Sequence, residues 1–431
     1  MDISIVGTGY VGLPAGTGLA SKGHDVTCID IDQEKVDKIN SGECPIYEED
    51  LPELLEKMVS EDKLRATTNT EEAIRDSDIT FLAVGTPMKD DGDINLDYIK
   101  QATKDAAHGI KNKDSYHVFV VKSTVVPTTT EEEIIPILEE VSGKKVGKDF
   151  GVCMNPEFLR EGTALNDFLE PDRIVIGELD EKSGETLEKV YEGFEAPIMR
   201  TSLKAAELIK YASNSLLATK ISFINEIGNM CKELGIDVYE VADGIGMDSR
   251  IERSFLDSGA GFGGSCFPKD VRALINFMEK NNVDPKITES TIEVNEKQKT
   301  RLVDLLEEHY PSLENKTVAI LGLAFKPGTD DIRQSPAIDI ISELKQKGAD
   351  VKAYDPEAIQ NMKERHPDIE YTESYQKAIE NSNAALIVTD WAEFNQISRK
   401  DLKSMDEALI IEGRKIRHKL DDGITKGINW P

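Results

Sequence analysis

Short apolar, often β-branched runs alternate with helix-like stretches over the first part of the chain. Ile3–Val6, Asp25–Ile29, Ile79–Val84 and Val118–Val121 each read as a buried strand, and that alternation predicts a parallel sheet with crossover helices. The texture changes near Thr201. Ser202–Leu234 holds no proline and a single glycine, and its apolar residues recur at helical spacing over several turns. At about 1.5 Å per residue such a helix would run roughly 50 Å, the length of a spine between domains or of a subunit interface. A second long helix is expected over about Glu289–His309. Thr317–Gly322 then opens a new strand–turn–helix unit, and Asp350–Tyr354, Ala384–Val388 and Ala408–Ile411 read as further strands. The expected class is α/β: two doubly wound Rossmann-like domains, residues 1–200 and 311–431, joined by a central helical domain, residues 201–310, that carries the spine helix.

Composition narrows the function classes. A chain of 431 residues with 39% hydrophobic residues can bury two or three cores. It contains no uninterrupted apolar run of the roughly 20 residues that a membrane-spanning helix needs, and Met1-Asp2-Ile3-Ser4-Ile5 enters a strand without a basic leader, so a cytoplasmic protein is expected. The five cysteines, Cys28, Cys44, Cys153, Cys231 and Cys266, are scattered with no Cys-x-x-Cys pair. Neither a disulfide framework nor a thiolate metal site is expected, and a lone thiol with a chemical task fits better. A formal net charge of −30 repels nucleic acid and anionic lipid. Any phosphate-bearing ligand must then be held by local positive groups. The same charge fits either a salt-rich cytosol or ordinary solubility.

Gly7-x-Gly9-x-x-Gly12 follows the first strand directly and opens a helix, with Tyr10 and Val11 inside the turn. The glycines serve a tight turn, backbone approach to a pyrophosphate, and close helix–strand packing. Asp30 ends the next strand 18 residues after Gly12, where a carboxylate can accept from ribose hydroxyls and repel a 2′-phosphate, which favours NAD over NADP. Asp32 is a rival for that role, and Lys35 can reach the same ribose or the pyrophosphate. Val84-Gly85-Thr86-Pro87 and Lys122-Ser123-Thr124-Val125 each follow a predicted strand, at the edge where such sheets bind ligands. Their hydroxyls either touch the dinucleotide or cap helices.

Gly261-Phe262-Gly263-Gly264-Ser265-Cys266-Phe267-Pro268-Lys269-Asp270 carries the most chemical information. Three glycines before the cysteine are expected to let the backbone approach a ligand, and Pro268 places Cys266 near a helix N-terminus. There the dipole and Lys269 would favour thiolate over thiol. Cys28 in a strand and Cys231 in a helix read instead as small core residues. On the long helix, Lys210 and Asn214 are four residues apart and share one face among apolar neighbours. A lysine there is costly unless it meets an anion or snorkels to water.

Taken in order, these motifs resemble the UDP-glucose/GDP-mannose dehydrogenase family. The similarity runs nearly end to end, through Gly7–Gly12, Gly85-Thr86-Pro87, Ser123-Thr124, Asn155-Pro156-Glu157-Phe158-Leu159-Arg160-Glu161-Gly162, Lys210–Asn214, Gly263–Cys266, Phe325-Lys326 and Gly413-Arg414. The resemblance implies an N-terminal NAD domain, a central domain that builds a homodimer, and a C-terminal domain for the nucleotide-sugar. It implies Cys266 as nucleophile, Lys210 and Asn214 as oxyanion stabilisers, Asp270 and Thr124 around a catalytic water, and Glu157 as acid–base residue.

By the same carry-over, Phe158, Leu159, Arg160, Glu161, Lys210, Asn214, Phe262, Gly263, Lys326 and Arg414 meet the nucleotide-sugar, with Arg250 arriving from a partner subunit. NAD would be met by the glycine turn, Asp30, Lys35, Thr86, Thr124, Glu161, Lys269 and Arg333. The implied reaction converts a primary alcohol to a carboxylate in two hydride transfers, through a thiohemiacetal and a thioester on Cys266. Lys210–Glu226 favours the UDP-glucose branch over the GDP-mannose branch, and Lys269 argues against the UDP-N-acetyl-sugar branch. A non-catalytic NAD or nucleotide-sugar binder would not need Thr124, Glu157, Lys210, Asn214, Cys266 and Asp270 together.

Overall fold

Val, Ile and Phe runs that are buried on both faces form the centre of a twisted sheet, as parallel strands covered by helices must. In the computed structural model, which describes residues 1–89, 91–416 and 425–431, the first sheet contains β1 (Asp2–Val6), β2 (Asp25–Ile29), β3 (Leu64–Thr67), β4 (Ile79–Leu82), β5 (His117–Val121), β6 (Phe150–Met154), β7 (Ile174–Glu178) and β8 (Ile198–Ser202). Their order is β3-β2-β1-β4-β5-β6-β7-β8. Neighbours run parallel, as in Ile3 against both Val26 and Ile79, except that β6 and β7 are antiparallel.

Successive residues of one strand feed opposite faces. Val118 and Val120 join Ile3, Ile5 and Leu13 in one core, while Phe119 and Val121 join Leu82, Ile99 and Leu138 in the other. Strand order reverses between β1 and β4, and that switch point is where open α/β sheets bind ligands.

A second sheet contains β9 (Thr317–Leu321), β10 (Asp350–Tyr354), β11 (Glu370–Tyr371), β12 (Ala384–Ile387), β13 (Leu409–Glu412) and β14 (Thr425–Gly427), in the order β11-β10-β9-β12-β13-β14. All of its described pairings are parallel. The chain packs as two compact units, Met1–Ser213 and Asn214–Pro431. The 32-residue helix Leu203–Leu234 runs through the boundary between them.

The α/β class and the long helix match expectation, and the differences are local. The fourth strand ends at Leu82, two residues early, and the second long helix starts at Lys286. Pro285 stands at its N-cap, where a missing N–H costs nothing. The sequence pattern does not predict strands β3, β6–β8, β11 and β14. Phe150-Gly151-Val152-Cys153-Met154 is buried throughout, but a glycine and a cysteine dilute its β signal. Among the described residues no helix is long and apolar enough to cross a membrane.

Candidate active site

The turn after β1 lies at the switch point of the first sheet. Gly7 has φ +99°, and a Cβ there would stand 2.8 Å from the Ala83 carbonyl oxygen; a Cβ on Gly12 would stand 1.9 Å from the Gly7 carbonyl oxygen. The protein's own packing therefore demands both glycines. Gly9 differs, because a Cβ there would meet nothing within 4 Å. The backbone is thus open to a ligand at the start of helix Gly12–Ser21, whose N-terminus has no side-chain cap. Exposed amides at a helix start suit a pyrophosphate.

Asp30 accepts from the Thr8 amide at 3.0 Å and the Asp32 amide at 3.1 Å, and also from the Thr8 hydroxyl. Burial works to raise its carboxyl, but the Thr8 hydroxyl, the two amides and the Lys35 ammonium outweigh it and hold the group below its ordinary value. A fixed anion at this position accepts from ribose hydroxyls and opposes a 2′-phosphate. The rival Asp32 is engaged elsewhere, capping helix Gln33–Asn40 through the Glu34 amide at 2.9 Å. The Thr86 hydroxyl donates to the Thr124 carbonyl at 2.7 Å and so ties together the loops that follow β4 and β5. The open Gly9, the uncapped helix and the ionised Asp30 together fit a dinucleotide without a 2′-phosphate.

Further along the same sheet, the Lys210 Nζ lies 2.9 Å from Glu157 Oε1, with 3% and 7% of the two side chains exposed. Glu157 Oε2 accepts from the Leu159 amide at 2.6 Å. Burial pushes the Glu157 carboxyl up, yet the charge and hydrogen bond of Lys210, the Leu159 amide and the Lys122 charge bring it below its ordinary value. Glu157 is thus held as a carboxylate at neutral pH. The ring of Phe158 lies 3.8 Å from the Arg173 guanidinium and 5.5 Å from Lys210 Nζ, within cation–π range.

In the second unit, Cys266 stands at the N-cap of helix Phe267–Lys280, partly exposed, with its Sγ 3.6 Å from the Ser265 hydroxyl. The buried Asp270 accepts from Asn214 Nδ2 at 2.6 Å and pairs with the Lys269 ammonium. Lys269 thus pairs with its neighbour Asp270 one residue on. The loop glycines sit in close packing. A Cβ on Gly263 would lie 2.3 Å from the Gln334 carbonyl oxygen, one on Gly264 2.7 Å from the Phe325 ring, and one on Gly261 2.8 Å from Asn295 Oδ1. A side chain at any of these three positions would collide with the protein's own neighbours. Asn295 clamps Phe262 through both its amide, at 2.7 Å, and its carbonyl, at 3.0 Å. The Phe262 ring packs in an apolar cluster with Ala218, Val271 and Ile292.

The cations expected at the substrate, and Arg333 expected at NAD, are largely engaged. Arg160 holds Asp167, Arg250 grips Asp248 in a fork at 2.9 and 2.6 Å, Arg333 pairs with Asp331 at 2.8 Å, and Arg414 donates to the Gly261 carbonyl at 2.6 Å. Lys326 Nζ lies 5.9 Å from the Phe325 ring centroid. Glu161, Tyr10 and Val11 are half-buried.

Sequence reasoning passed over four charged residues. Arg173 stacks on Phe158, and the buried Glu48 accepts from the amides of Gly162 and Ala164 at 2.7 and 3.0 Å. Glu207 accepts from the Thr128 and Thr130 amides at 2.7 and 2.8 Å, and Lys122 donates to Asn155. Glu207 carried a usable signal, standing three residues before Lys210 on one helix. Glu48 carried none.

Sequence profiles of this family match the chain in three blocks: its NAD binding domain over residues 1–195, its central domain over residues 204–297 and its UDP binding domain over residues 319–419. The UDP-glucose 6-dehydrogenase AglM of Haloferax volcanii is 47% identical over 96% of this chain and 97% of its own. A GDP-mannose 6-dehydrogenase of Pseudomonas syringae is 39% identical over the full length of both. Among solved structures, a UDP-glucose dehydrogenase of Pyrobaculum islandicum superposes with a TM-score of 0.95 at 39% identity, covering 100% of this chain and 98% of that one. With a dinucleotide turn built to measure and homology along its whole length, the chain belongs to the UDP-glucose/GDP-mannose dehydrogenase family and is an NAD-dependent oxidoreductase.

Proposed function

We propose that the protein oxidises the C6 alcohol of UDP-glucose to the carboxylate of UDP-glucuronate. One alcohol, one water and two NAD⁺ give one carboxylate, two NADH and three protons. The observation that carries this reading is the pairing along one continuous helix: Lys210 is held against Glu157, and Asn214, one turn on, against Asp270. A cation and an amide donor then serve the oxygen on which negative charge develops, each contributing about 2.7 to 4 kcal/mol by analogy with oxyanion-hole deletions. UDP-glucose as substrate is supported by the names of the similar UDP-glucose enzymes and by the run Lys210–Glu226.

NAD, when bound at the glycine turn and Asp30, supplies the hydride acceptor for each oxidation. The Cys266 sulfur adds to the C6 aldehyde to give a thiohemiacetal, whose oxidation leaves a thioester that water cleaves. Glu157, ionised, takes up protons as these oxygens change state. Asp270 and Thr124 orient the water. Thr86, Glu161, Lys269 and Arg333 complete the NAD contacts. Phe158–Glu161, Phe262, Gly263, Lys326 and Arg414 hold the nucleotide-sugar, with Arg250 reaching in from a second copy.

On this reading residues 1–200 bind NAD, 201–310 dimerise and 311–431 take the nucleotide. Scoring a panel of UDP- and GDP-sugars for NADH tests it. Two NADH per UDP-glucose and little reduction of NADP are expected, and faster turnover of GDP-mannose would overturn the substrate assignment.

The homodimer has its own support. Leu216, Phe223 and Met230 recur every seven residues on the long helix and are 64%, 50% and 55% exposed, with Leu234 beyond them at 63%. Such a stripe left in water is a recognition surface for a second copy of the helix. Phe223→Asp is expected to convert a sedimenting dimer to monomer, whereas a parent that sediments as monomer would refute the dimer.

A further inference from the structure

Lys122 follows β5 and is only 5% exposed. Its ammonium donates to Asn155 Oδ1 at 2.8 Å and to the Tyr191 hydroxyl at 3.5 Å. Asn155 is itself held on every side. Its amide donates to the Val121 carbonyl at 2.9 Å, its Nδ2 donates to the Val175 carbonyl at 2.8 Å, and its Oδ1 also accepts from Tyr191. The ring of Phe168 lies 5.8 Å from the ammonium. The hydrogen-bond partners of Lys122 are thus neutral, and a buried ammonium with neutral partners is expensive unless a counter-charge acts on it. Among the described residues the charged groups that act on it are Glu157, two residues beyond Asn155, and Lys210, and the Tyr191 phenol is a further titratable group against it.

We infer that Lys122 is a positioning residue for the Glu157–Lys210 pair, which anchors the start of the Asn155–Leu159 loop and adds a second positive charge toward Glu157, so that Glu157 alone does not cancel the field of Lys210 at the developing oxyanion. The inference rests on the reading of Lys210 as oxyanion stabiliser. With Lys210 and Glu157 alone the pocket would be neutral. Lys122 adds a cation to that pair, and the added positive charge acts where the substrate oxygen becomes negative. Burial and then the opposing Lys210 charge lower the Lys122 ammonium to about 8, against the pull of Glu157. The added charge is therefore present below that pH and is lost above it.

The test compares the pH dependence of kcat in the parent, Lys122→Arg and Lys122→Met. The parent is expected to lose kcat as pH rises through about 8. Lys122→Arg, charged throughout, should keep kcat within about threefold at neutral pH and shift that alkaline limb upward. Lys122→Met should lower kcat about tenfold or more, with KM for sugar and NAD changing less. A merely structural lysine would leave the limb of the Arg variant where the parent has it, and that result overturns the inference, as does a parent kcat that is flat through this range. If Lys122→Met does not fold, the parent and Arg profiles decide alone. Lys210→Met is measured alongside: should it keep the parent kcat, the oxyanion reading itself has failed, independently of Lys122.

Discussion

Replacing Cys266 by serine is expected to cut release of the sugar acid by roughly 10³-fold or more while leaving NAD binding near that of the parent. A thiol ionises far more readily than a hydroxyl, and the thiolate is the attacking species. The structure makes the experiment clean. Cys266 occupies the N-cap of helix Phe267–Lys280 without a side-chain cap bond, and serine is among the best residues for that position. The Gly264 amide still meets the Arg333 carbonyl, at 2.8 Å, and Asn214 still meets Asp270. An unchanged melting temperature with acid release lost therefore reports on the sulfur itself. Acid is quantified by anion-exchange chromatography and NADH by absorbance; parent-like turnover would rule out the covalent route.

The second large effect is expected at Lys210. Lys210→Met should lower kcat by about 10² to 10³-fold, the loss seen when one donor to an oxyanion is removed. It should also destabilise the protein by about 3 to 5 kcal/mol, because breaking a buried pair strands the other charge. The sign with pH follows from Glu157. In the parent its carboxyl lies below the ordinary value, so the stability from that depression is present at neutral pH and is lost as pH falls through the folded-state pKa. In the variant the partner is gone and burial dominates, so the carboxyl moves up and the penalty is relieved once it protonates. The gap in melting temperature between parent and variant should therefore narrow toward acid pH. Adding Glu157→Gln should recover much of the stability and none of the activity. A double variant with recovered kcat would show that Lys210 only holds the fold.

Much of the site was legible because its signals are short-range. The spacing of Gly7, Gly9 and Gly12 after a β-branched run encodes a turn, and four residues between Lys210 and Asn214 place both on one helical face. The same locality does not reveal distant neighbours. The distances from Gly263 to the Gln334 carbonyl and from Gly264 to the Phe325 ring give a packing reason for two of the glycines before Cys266. Lys269, beside Cys266 in the same run, also pairs with Asp270.

By itself the chain's order of residues determined the α/β class, the dinucleotide turn, the long helix and the residue types available for chemistry, since periodicity and turn conformation depend on neighbours a few positions apart. The tertiary structure decided which charges meet. Glu157 finds Lys210, Asp270 finds Asn214 across 56 positions, and Glu48 finds the amide of Gly162 across 114. It also separated Asp30, which accepts from the Thr8 and Asp32 amides, from Asp32, which caps the following helix. Such pairings follow from strand order and helix docking, which bring distant segments into a low-dielectric interior where every buried charge must find a partner, and no pattern within a single stretch of sequence contains that information.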